Sequence, residues 1–321
     1  MNHKESSTLT LTSYKTNRTP LSKRIKDRWQ LYLLLLPPLL FLLIFSYGPM
    51  GGLVIAFKRY NFALGIWGSP WVGFDNFRRF FESFMFFRVV RNTIVLSLYG
   101  LAINFPIPIM FALAMNAFPY LKYRKIIQTF TYIPHFISTV VIVGLIFQLL
   151  NTRTGLYGVL YMLILREPGP DLLAVGAYFK HIFVWSGTWQ GTGYASIIYF
   201  AALSNVDPTL HEAALVDGAT RYQRVLHIDI PTILPTASIM LILAVGNIMN
   251  TSFEKALLMQ NALNLQFSEV ISTYVYKVGL AGGFNDFSLS TAIGMFNSVI
   301  NFMLLLIANW GAKRLNGAGI F

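Results

Sequence analysis

Six stretches of this sequence carry no charged side chain and are each long enough to cross the hydrocarbon core of a bilayer: 31–56, 92–121, 126–152, 182–206, 230–253 and 287–312. A crossing helix needs about 20 predominantly apolar residues. In lipid the backbone must satisfy its own hydrogen bonds, so such windows fold as helices and not as open strands. The windows therefore predict an all-α membrane protein with six transmembrane helices. Only 12% of the residues are charged, against about 25% in a soluble domain. The chain has no cysteine, which excludes a disulfide framework and a thiolate metal site. The fourth window is the most polar. Its first half, FVWSGTWQGTGY (183–194), suits a helix packed inside a bundle, where small and hydroxyl residues meet neighbours. Two apolar pieces, 154–165 and 256–268, are too short to span and predict interfacial or re-entrant helices.

Residues 1–29 form a Lys-, Ser- and Thr-rich tail with little to bury; it reads as a disordered cytoplasmic segment ahead of a transmembrane domain over 30–321. The basic start resembles a signal peptide, but the apolar run after it exceeds the usual 7–15 residues, so it reads as an uncleaved first span. Orientation follows from basic residues beside the membrane. With both termini inside, the inner segments 1–30, 122–125, 204–229 and 313–321 hold 14 of the 25 Lys and Arg, leaving 11 outside. The N-terminal cluster and the KYRK loop at 122–125 carry this N-in/C-in assignment. The first outer segment runs against it, with Phe77, Phe80, Phe81, Phe84 and Phe87 at helical spacing among Arg78, Arg79 and Arg88. This reads as an amphipathic helix on the outer leaflet or as a basic surface for an anionic ligand or docking protein. The net charge of +12 does not imply a nucleic-acid partner, because the basic residues flank apolar runs and form no aromatic-interleaved face. Membrane lipid is the expected surrounding.

The polar segment 204–231, between the fourth and fifth windows, falls in the cytoplasm under this orientation. Asp207 before Pro208 suits an N-cap followed by proline at the first helical position. A short helix follows, and Gly218 stops it because glycine tolerates the left-handed conformation. ATRYQRVLHIDI (219–230) restarts a second helix, and Pro231, lacking an amide donor, marks the return to the membrane. Leu210, Ala213, Ala214 and Val216 give the first piece an apolar side; Val225, Leu226 and Ile228 do so for the second. The prediction is an elbow with an apolar side, packed either under its own bundle or against a partner.

The stretch EAALVDGATRYQRVLHIDIPTILP (212–235) resembles the signature of ABC-importer permeases: Glu-Ala-Ala, three residues, Gly, nine residues, Ile, one residue, Leu, Pro. Glu212, Ala213, Ala214, Gly218, Ile228 and Pro231 match; Ile230 stands where the pattern has Leu. The segments 128–147, 197–219, 268–280 and 291–309 are similar to permeases of complex oligosaccharide and polysaccharide importers, and the resemblance covers the chain from about residue 30 onward. It implies a type I ABC importer permease fold and the role of a sugar permease in the cell membrane of a prokaryote. It also implies partners: a second permease that makes a heterodimer with this one, two ATPase subunits and an extracellular solute-binding protein. By the same resemblance the loop 204–231 is a coupling loop. Glu212, Ala213, Ala214, Asp217 and Gly218 would seat on an ATPase, with Arg221, Arg224, Ile228 and Pro231 on the second arm.

The chain has no Gly-x-x-x-x-Gly-Lys-Ser/Thr run and so no phosphate-cradling loop. The expectation is a non-hydrolytic subunit that binds no cofactor itself, with ATP and Mg held by the partner ATPase. Its five His and its carboxylates show no metal-ligand spacing. A substrate path is sought among polar and aromatic groups in the windows: Trp189, Gln190 and Tyr194 in the fourth, Asn247 and Asn250 in the fifth, Asn297 and Asn301 in the sixth. The spacings of three and four put each asparagine pair on one helix face; the competing reading is interhelical hydrogen bonding. His135, after Pro134, reads as structural. None of the six windows contains Lys, Arg, Asp or Glu, which weighs against the alternative of an ion-coupled secondary transporter or channel. An enzyme of lipid or cell-wall assembly would need clustered acid and base groups, which the sequence does not display.

Overall fold

The computed structural model describes residues 26–281, 283 and 285–316. Most of the basic tail, and with it the expectation of disorder there, lies outside the described residues. The chain divides into two units, residues 1–53 and 54–321. In the first, helix α1 (Trp29–Leu42) runs through a π-helical turn, Leu43–Tyr47, into Gly48–Met50. The Gly48 amide bonds Leu43 O five residues back, immediately before Pro49. The wider turn absorbs the register in which a proline supplies no donor.

The second unit is helical throughout; among the described residues its one β contact is an isolated antiparallel bridge between Lys58 and Trp71. Its elements are α2 (Asp75–Glu82), α3 (Met85–Asn104), α4 (Pro106–Ala117), α5 (Leu121–Tyr132), α6 (Thr139–Leu149), α7 (Leu156–Leu165) and α8 (Gly176–Leu203). After them come α9 (Pro208–Val216), α10 (Arg221–Arg224), α11 (Ile230–Gly246), α12 (Phe253–Met259), α13 (Ile271–Tyr276) and α14 (Phe287–Asn316).

Among the described residues, four helices are long and apolar enough to cross a membrane: Trp29–Phe57, Met85–Ala117, Arg221–Gly246 and Phe287–Arg314. The third window is not one straight helix. Leu121–Phe136 and Thr139–Leu149 meet at 100° and make a fifth span only if the bent pair is one. Pro134 sits in a 3₁₀ turn, Ile133–Phe136, after which Ile137 is extended and Ser138 caps α6. The fourth window lies in α8, whose 28 residues reach about 42 Å, though α8 is too polar to meet the same apolar measure. The fifth window stops short of its expected end: α11 closes at Gly246, and Asn247 side-chain Nδ2 turns back to Leu243 O at 3.1 Å.

Helix α8 is the central packing element, against α3, α4, α5 and α11, while α14 packs on α11. Where α8 meets α5, a Cβ on Gly193 would stand 2.2 Å from Thr131 O, so only a bare glycine allows the approach. Buried apolar groups gather in three clusters, around Phe183 and Val184, around Phe80 and Ile293, and around Tyr199 and Ile233. The expected phenylalanine helix breaks at Ser83. Phe80 turns into the core while Phe84 and Phe87 stay exposed, because the break rotates the second half out of phase with the first. Two of its arginines find partners, Arg78 on Asp75 and Arg79 on Asp286, both at 2.8 Å.

Candidate functional site

The elbow is shaped by local hydrogen bonds. The Asp207 carboxylate accepts from the Thr209 amide at 3.0 Å, with Pro208 at the first position of α9. That backbone bond, and a second from the Thr209 hydroxyl, hold Asp207 below its ordinary carboxyl pKa. At the other end, Gly218 takes φ +78. Its amide bonds Leu215 O and the Ala219 amide bonds Ala214 O, the paired pattern of a glycine-closed helix end. Thr220 and Gln223 then form a reciprocal capping box that starts α10, and its signal in the sequence is the Thr-x-x-Gln spacing.

The second arm passes the expected membrane boundary at Pro231 without a break. Helix runs continuously from Arg221 to Gly246, through a π turn at Val225–Asp229 in which the Ile230 amide reaches Val225 O. Pro231 therefore does not break the helix; the shifted register passes over its missing donor. Glu212, Ala213, Asp217, Gly218, Arg221 and Pro231 are exposed, and Ala214, Arg224 and Ile228 are half-buried. Leu210, Leu215, Val216 and Tyr222 are exposed too, Val216 by 88%. Beneath the elbow lies a cavity of about 510 Å³ lined by Glu212, Arg221 and Arg224 among others. In its wall the buried Asp229 sits 3.3 Å from His211 Nε2 and accepts from Asn116 Nδ2 at 3.4 Å. These contacts tie both arms of the elbow to the end of α4; no sequence spacing marks His211 or Asn116 for this.

The asparagines of the fifth and sixth windows meet, but not as two helix faces. Asn247 caps α11 and Asn250 lies beyond it. Asn250 Oδ1 accepts from Asn297 Nδ2 and Asn301 Nδ2, each at 3.1 Å, and Asn301 Oδ1 accepts from the Met249 amide at 3.0 Å. Asn250 Nδ2 approaches Asn247 Oδ1 at 3.5 Å. Beside this cluster lies a cavity of about 440 Å³ walled by α3, α8, α11 and the segment 250–255. Gln190, Asn247 and Asn250 face it; Trp189, Tyr194, Asn297 and Asn301 do not line it. Gln190 donates to Ile137 O at 3.0 Å, satisfying a carbonyl freed by the 100° bend. Tyr194 stacks on His135 with centroids 3.8 Å apart. In the cavity wall the Ser97 and Thr251 hydroxyls pair at 3.2 Å, and Asn104 Oδ1 accepts from the Thr188 hydroxyl behind it at 2.5 Å.

Charged groups do enter the core, from segments flanking the charge-free windows. Glu269 is buried and paired with Lys277 at 2.9 Å. Lys255, 4% exposed, faces the cavity. Lys255 lies two residues beyond the fifth charge-free window.

An open cavity with polar groups in its wall, set among long apolar helices, with a capped helical elbow leading into one of them, is the arrangement of a membrane permease. Residues 104–317 match the family described as binding-protein-dependent transport system inner membrane component, and this chain belongs to that family. It is 42% identical to Protein LplB of Bacillus subtilis (strain 168), over 92% of each chain. The polygalacturonan/rhamnogalacturonan transport system permease protein YteP of the same organism is 40% identical, over 94% of this chain and 92% of its own. A solved bacterial ABC transporter involved in the import of the acidic polysaccharide alginate has a chain that superposes with TM-score 0.84 at 38% identity, covering 92% of this chain and 99% of that one. In a second structure the alginate transporter is in complex with an alginate pentasaccharide-bound periplasmic protein, with TM-score 0.85 and 94% and 99% coverage. The fold is that of a type I ABC importer permease.

Proposed function

We propose that this chain is the permease subunit of an ATP-driven, binding-protein-dependent importer of oligosaccharides or polysaccharide fragments, multi-pass in the cell membrane, and forms half of the translocation pathway. In this reading six segments span, with both termini inside: the four apolar helices, the bent pair and α8. A second permease completes the pathway, two ATPase subunits bind ATP and Mg, and an extracellular solute-binding protein delivers the sugar.

The observation that carries this is the unbroken helix from Arg221 to Gly246. Its first turns belong to the elbow; its last ones, with Met240, Ala244 and the capping Asn247, line the 440 Å³ cavity. A displacement at the elbow is thus transmitted along a rigid rod to the cavity wall, which lets nucleotide bias two packings of the bundle. The exposed apolar edge of the elbow is what a partner surface would cover. Glu212, Ala213, Ala214, Asp217 and Gly218 form its tip, with Arg221 and Arg224 beside it for acidic groups. In the cavity, amide groups of Gln190, Asn247 and Asn250 supply donors and acceptors to sugar hydroxyls; Asn297 and Asn301 hold Asn250 in place, while Trp189 and Tyr194 lie outside this cavity, Tyr194 against His135.

Extraction in mild detergent should co-purify an ATPase and a second permease. The complex in vesicles should accumulate oligosaccharide only with the binding protein outside and ATP inside. A chain that purifies alone and moves sugar without ATP would overturn the proposal.

A further inference from the structure

Lys255 lies on α12, where the chain folds back after α11, and its ammonium is buried beside the 440 Å³ cavity. Nζ donates to Phe183 O at 2.9 Å and sits 5.0 Å from the centroid of the Phe183 ring. An ammonium carries three donors, and the backbone carbonyl occupies one. Among the described residues no carboxylate lies within ion-pair distance of it; the ion pairs there join Arg78 to Asp75, Arg79 to Asp286, His211 to Asp229 and Lys277 to Glu269. The contrast with Lys277 is direct: that lysine meets a buried carboxylate at 2.9 Å. Lys58, also buried, divides its ammonium between the carbonyls of Ile66 and Trp67.

A buried cation without a counter-charge is unfavourable, and burial alone lowers the Lys255 pKa from 10.5 to about 8. The amine is still mainly charged at neutral pH, so the cavity wall keeps a positive centre with free donors. Space is left for it: α8 offers Gly187 opposite, where a Cβ would crowd Nζ at 3.3 Å. Most of the cavity wall is apolar, but it also carries neutral groups that hydrogen-bond in both senses, Asn104, Gln190, Asn247, Asn250 and Thr251. A resident carboxylate would neutralise the centre; a carbonyl and an aromatic ring hold the ammonium and leave its net charge available.

We infer that Lys255 takes the carboxylate of a sugar in transit, which makes it a specificity-determining residue for uronate-containing oligosaccharides. This rests on the importer reading above. The carboxylate completes the coordination of the ammonium, while the surrounding amides and hydroxyls take the ring hydroxyls. A neutral sugar of the same size leaves the buried charge unpaired and loses that contribution.

The test uses the assembled transporter in vesicles, with binding protein and ATP, and compares uptake of trigalacturonate with that of its methyl ester, which has nearly the same shape and no charge. The ratio of acid to ester uptake is the readout. Lys255→Met should lower it by at least about tenfold, the value of one charge-assisted hydrogen bond, and Lys255→Arg should keep it high. A ratio unchanged in Lys255→Met, whether uptake persists or falls equally for both sugars, overturns the inference, as does a wild type that prefers the ester. Uptake of neither sugar by the wild type overturns the inference alone, whereas uptake without ATP sinks the importer reading and the inference with it. A measurement on the unmodified chain covers a variant that fails to assemble: trigalacturonate, and not its ester, should protect Lys255 from amine acetylation read by mass spectrometry. Equal protection by both, or none by either, also overturns it.

Discussion

The elbow at 204–231 and the cavity beside Lys255 are polar regions at opposite ends of one helix, built by different means. The bonds that form the elbow's corner join residues two to five positions apart, as between Asp207 and Thr209, Gln223 and Thr220, or Ala219 and Ala214. Those that hold the cavity-lining residues join distant segments: Asn297 to Asn250 is 47 positions, Lys255 to Phe183 is 72, Ser97 to Thr251 is 154. A locally capped device keeps its shape while its apolar edge stays uncovered, which suits a surface that docks and moves. A cavity made from remote groups has its shape only when the bundle is packed, so its polar atoms also report on that packing.

The sharpest way to break the contrast is at Gly218. Its φ of +78 is closed to proline, whose ring fixes φ near −65°. Gly218→Pro should leave insertion intact but lower transport by more than about tenfold, by misaiming the corner. Normal ATP-driven uptake by this variant would mean that the corner is not the coupling element.

Asn301, 8% exposed, holds the cavity-lining Asn250 from behind. Asn301→Leu strips the Met249 amide of its acceptor and should cost about 1–3 kcal/mol, the price of one unsatisfied buried group, seen as a lower midpoint in thermal unfolding of the detergent-solubilised chain. An unshifted midpoint would show that the asparagine cluster does not hold the bundle.

A pH series sharpens the role of Lys255. With a pKa of about 8, its charge is present below that pH and lost as pH rises through it. Uptake of an acidic oligosaccharide relative to a neutral one should fall about tenfold between pH 7 and 9. Tyr199 is the other titratable group on the cavity wall, and Lys255→Arg, which stays charged, should flatten the profile. A slope that survives in Lys255→Arg would assign the titration elsewhere.

The smallest effect is expected in the elbow's second arm. Thr220→Ala removes one half of the capping box and should weaken the first turn of α10 by about 1 kcal/mol. Amide hydrogen exchange at residues 221–224 should quicken, while the ratio of acidic to neutral uptake holds. Unchanged exchange would show that the turn is held by its continuation into α11 and not by its cap.

The two regions also differ in how far they can be read from residue order. The N-cap at Asp207, the stop at Gly218 and the apolar sides of the elbow follow from short-range rules. The continuity of the second arm does not, because a π turn neutralises the break that Pro231 suggests. Hydropathy places five windows on long apolar helices or the bent pair, yet it misses the 100° bend after Pro134 and the early end of α11 at Gly246. Asn250 and Asn301 are visible as polar residues in apolar surroundings, but their meeting requires the chain beyond α11 to fold back on α14. Lys255 leaves no local signal at all: an isolated lysine just past an apolar window reads as a boundary residue.

What the sequence determines alone is therefore the set of membrane-length helices, the capped elbow between two of them and the family signature within it. Each rests on spacing along the chain, through helix periodicity, solvent-free hydrogen bonding and backbone φ preference. Tertiary structure alone decides which polar groups share a cavity and which charge remains unpaired there. Those outcomes depend on distances between segments separated by tens of residues, which packing at positions such as Gly193 and Gly187 sets.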